Sequence, residues 1–521
     1  MYNYNYNNNH NKKGPVVLVS RQIAFTFPLS YAYLLGYLKQ MGEDVRILFR
    51  EAGALSPELI KQIMELNPLL VGFGNLYPEL QDIKGIIKLL DDAGRPFPVV
   101  IGGQMVSPIP EFAIKITGAD FGVIGEGEII LYQLVKTLRE GLDPATVKGL
   151  AIRQGDEVCL TGPGEYIEDL SQLPPIPYEE FPEKEWLNIG RWYTEHRPQP
   201  HWRFADRVIN VHGARGCPYK CNFCYHHSKT RYRSISDMMN EGEAALERFN
   251  GNMLYFSDDL VICTPKRANQ LIEAINALKK PIEYSMSSRI DILDKMDDDL
   301  LRRMKETGCR IMGIGIESGS DRILKVIGKT FTADMVLTQL ERLKRVGILP
   351  TVSIMVGQHT ETKEDVMSSI ALMQESVRNN PNIQYAFTVT TPFPGSKLYK
   401  MIFDKGYLKD DQEFYSLYFS SPGEWKQIVN LSEMDDAEVF EMYQKLCQAY
   451  EVEKAKVADS KVAQKIENFQ SKICRAENRV IKPIWSRLSA HYSLNQSAYD
   501  SAYEFLQGKL DKLRLKYRGI G

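Results

Sequence analysis

Three of the eight cysteines crowd into one short segment, Gly213-Ala-Arg-Gly-Cys217-Pro-Tyr-Lys-Cys221-Asn-Phe-Cys224-Tyr. Thiolates are soft ligands that select iron–sulfur clusters, zinc or copper(I). A four-iron cluster held by three thiolates keeps one iron open to another ligand, unlike an electron-transfer cluster closed by four cysteines. A structural zinc site needs a fourth ligand close by, and His226 or His227 stands in position to supply it. The other five cysteines are scattered, so the chain carries no disulfide framework. That usage fits a reducing compartment and a metal site.

The cysteine loop must be presented by a rigid scaffold, and the flanking sequence describes one. Between residues 206 and 405, six short apolar runs read as strands: Val208–His212, Met253–Phe256, Ile282–Met286, Ile311–Ile316, Pro350–Met355 and Tyr385–Val389. Helical stretches such as Arg267–Leu278, Asp298–Glu306, Ala333–Val346 and Lys363–Val377 separate them. Six strand–helix units predict a partial (β/α)6 barrel, with the cysteine loop directly after its first strand. Residues 15–140 show the same alternation, with strands at Val16–Ser20, Val45–Phe49, Leu69–Phe73, Val99–Ile101 and Phe121–Ile124. This pattern predicts a doubly wound parallel sheet of the flavodoxin or Rossmann type, and so an α/β protein. Its glycines gather where strands should end: Gly72 and Gly74, Gly102 and Gly103, Gly125 and Gly127. In open α/β sheets ligands sit at those ends, although plain strand-to-helix turns use glycine too.

The remaining segments are less regular. Residues 1–14 read as a disordered tail and the proline-rich, aromatic stretch 141–205 as a linker. Residues 406–521 read as a helical C-terminal region, clearest over Ala437–Gln470 and expected to cap the barrel. A chain of 521 residues is too long for one core. Its net charge of −2 gives no global field for nucleic acid or an anionic membrane. No apolar run of about 18 residues predicts a membrane span, and a cytoplasmic location is expected.

The spacing Cys-x-x-x-Cys-x-aromatic-Cys, with Phe223 as the aromatic, resembles the signature of the radical S-adenosylmethionine superfamily. The resemblance implies that Cys217, Cys221 and Cys224 hold a [4Fe-4S] cluster and that Phe223 contacts the S-adenosylmethionine bound to it. The open iron would chelate the amino and carboxylate groups of S-adenosylmethionine (SAM), whose cleavage gives a 5′-deoxyadenosyl radical. Four further stretches resemble the family's strand-end motifs. Phe256-Ser257-Asp258-Asp259 resembles the motif for the methionine amino group, which needs acceptors. Ser287-Ser288-Arg289 resembles the position that pairs with the methionine carboxylate. Gly313-Ile-Gly-Ile-Glu317-Ser318 implies ribose or methionine contacts from Glu317 and Ser318, and Pro392-Phe-Pro394-Gly395-Ser396 resembles the loop after the last strand. One stretch departs: Gly357-Gln-His359-Thr-Glu361-Thr362 stands where the family often has Gly-x-Pro-Gly-Glu-Thr. His359 is therefore a candidate general acid/base or substrate contact, with a structural histidine as the alternative.

Residues 15–140 resemble the cobalamin-binding module of one branch of that superfamily. The resemblance rests on Gly72-Phe-Gly74-Asn75, Val99-Val-Ile-Gly102-Gly103, Ser107 with Pro110-Glu111, and Gly125-Glu126-Gly127-Glu128. It implies cobalamin contacts from Gly74, Asn75, Gly102, Gly103, Gln104, Gly125, Glu126 and Gly127. The Asp-x-His-x-x-Gly motif for a lower histidine ligand is absent, and Gln104-Met105 follows the glycine pair where the branch often has x-His.

Together the resemblances imply cobalamin-dependent methylation of an unactivated carbon in a small-molecule or natural-product substrate. The alternative in the same branch is an oxidative cyclase or rearrangement enzyme that moves no methyl group. A methylthiotransferase predicts three cysteines in the first domain, which has none. An electron donor such as flavodoxin or ferredoxin is expected. No motif specifies the substrate; the aromatic residues Trp186, Trp192, Tyr193 and Trp202 wall either a substrate site or a domain contact.

Overall fold

A computed structural model describes residues 11–21, 27–51, 56–191, 201–225, 228–420 and 428–458. The first sheet opens with five parallel strands: β1 (Val16–Arg21), β2 (Val45–Arg50), β3 (Leu70–Asn75), β4 (Val99–Gly103) and β5 (Phe121–Val123). The inner strands are mostly apolar because helices cover both faces of a parallel sheet, while the edge strand β2 carries Arg46 and Arg50. Two more strands, β6 (Leu150–Gln154) and β7 (Glu157–Leu160), continue the sheet antiparallel, giving the order β2-β1-β3-β4-β5-β6-β7. They lie inside the stretch 141–205 that composition marks as a linker. Gly155, at φ 63°, turns the hairpin between them.

The second sheet is all parallel. Its strands are β8 (Val208–Val211), β11 (Met253–Phe256), β12 (Glu283–Ser288), β13 (Cys309–Glu317), β14 (Leu349–Val356) and β15 (Gln384–Val389), hydrogen-bonded in that spatial order. Between β8 and β11 a short antiparallel ribbon pairs β9 (Ala214–Arg215) with β10 (Arg231–Tyr232). The sheet stays open, since β8 and β15 do not pair. The helix Asp436–Ala458 reaches the exposed edge: Tyr450 packs edge-on to Tyr385 and Phe387, and Tyr443 donates to the Phe387 carbonyl at 3.5 Å.

The segment after the barrel does more than cap it. In the helix Asp411–Ser420, Phe414 and Tyr418 pack on Tyr77 of the first domain at 5.6 and 5.2 Å between ring centres. Leu398, Ile402 and Leu431 join the same apolar core as Ile83, Ile87 and Ile114. Trp186 is buried against Phe27, Tyr178 and Phe249 in an aromatic contact between the two sheets' layers. It therefore packs domains together. Trp192 and Tyr193, with 459–521, most of the tail and the end of the predicted Ala437–Gln470 helix, lie outside the described residues. No described helix is long and apolar enough to cross a membrane.

Candidate functional site

Parallel strands present all their carboxyl ends on one rim, so residues far apart in sequence meet there. The cysteine loop leaves β8 through β9 and returns through β10. Gly216 opens it at φ 73°, and a Cβ there would meet the carbonyls of Ser228 and Lys229 at 2.9 and 3.1 Å. Only glycine lets the loop's two ends cross so closely. The loop is braced from the far side of the barrel: Asn222 N–H donates to the Ile327 carbonyl at 3.0 Å, and its own carbonyl accepts from Leu398 N–H at 3.1 Å. Gly395, in the Pro-Gly turn after β15, lies under the Tyr225 ring with no room for a Cβ. Cys217 and Cys221 are partly buried and Cys224 is exposed. Among the described residues no three His, Cys, Asp or Glu side chains are gathered to hold a single metal ion. His226 and His227, the candidate further ligands of a zinc knuckle, lie outside the described residues.

The predicted SAM-binding residues separate into two groups. Arg289, after β12, stacks on Tyr219 with the guanidinium carbon 3.5 Å from the ring centre. It donates to Asp291 at 2.9 and 3.3 Å, and its Nη1 lies 3.8 Å from Cys221 Sγ. Burial disfavours the charge, but Asp291 and Cys221 raise the pKa, so Arg289 stays a cation beside the thiols. Glu317 ends β13 at φ 70°, an uncommon backbone state for a side chain of this size. Burial pushes its carboxyl up, against the pull of Lys329, whose Nζ lies 3.5 Å away. Ser287 is partly exposed on the same rim, and Phe223 lies 5.6 Å from Lys329 Nζ. Asp259 lines the cavity described next.

The other two residues are sealed in. Asp258 Oδ1 accepts from the Gly213 and Ala214 amides at 2.8 and 2.6 Å and lies 3.0 Å from His212 Nδ1. Its side chain is wholly buried, so it anchors the entry to the cysteine loop. Ser318 is also fully buried. Its hydroxyl accepts from Ser320 N–H and lies 3.4 Å from Ser369 Oγ. It shapes the turn after β13 rather than facing a ligand. His359 departs from its catalytic reading in the same way. Nδ1 faces the Leu431 carbonyl at 3.2 Å and Nε2 faces Lys405 at 3.4 Å. Nδ1 thus faces the post-barrel segment and Nε2 the end of the helix Lys397–Asp404.

One cavity joins the two sheets. Its floor is the strand ends of the first domain, with Gly72, Gly74, Gly102, Gly103, Gln104, Gly125, Glu126 and Gly127 in its lining. The opposite wall is the barrel's cysteine-loop stem, with His212, Ala214, Arg215, Gly216, Ser228 and Asp259. A Cβ at Gly125 would meet nothing within 4 Å and would project into open space. Bare backbone flanked by Leu34, Ile101, Val123 and Leu131 suits a broad, flat ligand such as a corrin. Asn75 pairs through its backbone with Gly103 at the same edge. His212, Arg215, Arg231 and Lys329 belong to this region and were not singled out from sequence. The only local signal for His212, Arg215 and Arg231 is position, at or next to a strand or ribbon end, and Lys329 follows the short helix Asp321–Val326.

Residues 211–373 match the Radical SAM superfamily and residues 16–135 match the B12 binding domain. The chain belongs to the B12-binding radical SAM enzymes. It is 27% identical over 380 residues to an uncharacterized methyltransferase of Pyrococcus horikoshii, covering 72% of this chain and 78% of that protein. It is 24% identical over 405 residues to the anaerobic magnesium-protoporphyrin IX monomethyl ester cyclase of Rubrivivax gelatinosus, covering 75% and 69%. Its fold is like that of the radical SAM methyltransferase TsrM from Kitasatospora setae, solved with cobalamin and a [4Fe-4S] cluster bound. The TM-score is 0.57, with 18% identity and 75% of each chain covered. The cofactors of this radical SAM enzyme are accordingly a [4Fe-4S] cluster, SAM and cobalamin.

Proposed function

We propose that this enzyme methylates an unactivated carbon of a small-molecule or natural-product substrate. The observation that carries the reading is the shared cavity, walled by the glycine strand ends on one side and the cysteine-loop stem on the other. When bound, the cluster with SAM supplies a hydrogen-abstracting radical and the corrinoid supplies a methyl group. Cys217, Cys221 and Cys224 would hold the cluster, and Arg289 would keep a cation beside it. Asp259 and Ser287 offer polar atoms for the methionine end of SAM, with Glu317 and Lys329 deeper on the same rim. Gly74, Gly102, Gly103, Gly125 and Gly127 would let the ring lie on backbone, with Gln104 as a polar contact. Two carbons must approach within about 3–3.5 Å for such a transfer, and a common cavity makes that approach a matter of positioning.

The cyclase relative supports a second reading, in which the same site oxidises or rearranges its substrate and no methyl moves. Incubation of anaerobically reconstituted enzyme with methyl-labelled SAM separates the two. Label in the product carbon skeleton supports methylation. A product formed without label, two mass units lighter than substrate or isomeric with it, refutes it. We also propose cytoplasmic residence and a low-potential protein donor such as flavodoxin or ferredoxin, because SAM cleavage consumes an electron that no described residue supplies.

A further inference from the structure

The two stems of the cysteine loop each carry an arginine, and both arginines are held by the first domain. Arg215 on β9 donates from Nη1 to Glu126 Oε2 at 2.6 Å and from Nη2 to Glu128 Oε1 at 2.5 Å. Arg231 on β10 pairs with the other oxygen of Glu126 and with the Ile167 carbonyl. Arg215 and Arg231 are register partners in the ribbon that closes the loop. All four side chains are at most 12% exposed. Burial works against the charge on Glu128, but Arg215 holds its carboxyl below the usual carboxylate range, so the pair is ionised. Arg215 also lies 5.3 Å from the Tyr33 ring centre and Arg231 4.7 Å from that of Tyr166.

We propose that Glu126 and Glu128 are positioning residues for the cluster loop, clamping both of its stems to the B12-binding domain. Glu126 thereby takes a role other than the cobalamin contact expected from its motif. Its carboxylate is committed to two guanidinium groups, and charged pairs out of water tolerate little change in geometry. Because Glu126, Glu128, Arg215 and Gly216 also line the shared cavity, whatever occupies that cavity bears on the loop that presents the thiols. The inference rests on the reading that Cys217, Cys221 and Cys224 hold the cluster.

The molecule contains its own control. At the opposite end of β5, Asp120 joins two arginines in the same way, Arg95 at 2.6 Å and Arg153 at 2.8 Å, remote from the loop. Full-length protein with its cluster reconstituted is exposed anaerobically to a ferrous chelator, and iron release is followed by absorbance. Glu126→Gln is expected to release iron about tenfold faster than wild type, the scale on which outer partners of metal ligands act. Arg215→Lys keeps the charge but loses the fork and is expected to fall between them. Asp120→Asn is expected to lose thermal stability while releasing iron at the wild-type rate. Its melting curve thus separates a general folding defect from a loop defect. Equal rates for Glu126→Gln and wild type overturn the proposal, as does equal acceleration by Asp120→Asn. If Glu126→Gln fails to fold, Arg215→Lys at the wild-type rate overturns it. Wild type that binds no iron would instead sink the cluster assignment, a distinguishable failure.

Discussion

Glu361 makes this protein less stable as pH rises. The carboxylate sits after β14 with 1% of the residue exposed, and Oε2 accepts from the Gly357 and Gln358 amides at 2.7 and 3.2 Å. Burial raises its pKa from 4.5 to about 8; the two amides and Arg322 pull it down, and Asp365 pushes it further up. In the unfolded chain the group titrates near its ordinary value. Between pH 4.5 and about 8 the folded state therefore binds more protons than the unfolded state. The stabilisation from the neutral carboxyl is complete below 4.5 and is lost as pH climbs through the folded pKa. Each pH unit in that window costs about 1.4 kcal/mol, giving an upper bound of roughly 5 kcal/mol across it. Glu361→Gln keeps an acceptor oxygen for both amides and removes the titration. The variant should match wild type near pH 5 and exceed it increasingly up to pH 8. For a domain of a few hundred residues that corresponds to about 2–4 °C of melting temperature per kcal/mol. Thermal unfolding followed by far-UV circular dichroism in half-unit steps from pH 5 to 9 measures it. A difference between variant and wild type that is constant over this range would refute the argument.

Three further substitutions test the site. Asp258→Ala leaves the buried Gly213 and Ala214 amides without their acceptor, at about 1–3 kcal/mol each; a melting temperature within a degree of wild type would contradict the anchoring role. Gly125→Ala forces a side chain to φ 94°, at about 1–2 kcal/mol, and projects a methyl group into the cavity. Less hydroxocobalamin should be retained after gel filtration, and full retention would remove Gly125 from the cradle. Arg289→Lys loses the two-pronged bond to Asp291 and the stack on Tyr219. The rate of 5′-deoxyadenosine formation should fall about tenfold, equivalent to about 1.4 kcal/mol, with unchanged iron content; an unchanged rate would show that the guanidinium plays no part at the cluster.

Much of this enzyme was legible from local pattern. Strand positions follow from short apolar runs, and all eleven predicted strands recur as the parallel strands of the two sheets, within a few residues at their ends. The cysteine spacing and the glycine pairs mark strand ends because only certain side chains suit a metal or a bare backbone floor. Composition misled where it overrode periodicity. Prolines and aromatics between 141 and 205 hid two short strands, Leu150–Gln154 and Glu157–Leu160, that extend the first sheet. Motif position also says nothing of burial: Asp258 and Ser318 occupy ligand-type positions yet are sealed in, and His359 faces Leu431 and Lys405.

What the residues determined alone is the chemistry the chain can present: three soft ligands, two runs of parallel strands, and glycine at their ends. Tertiary structure alone decided who partners whom. Glu126 meets Arg231 across 105 positions of sequence and Arg215 across 89. A carboxylate carries no mark of which distant guanidinium it will find. That choice is made only when two sheets, each built by local rules, bury their facing strand ends against one another and every charge trapped there must be matched.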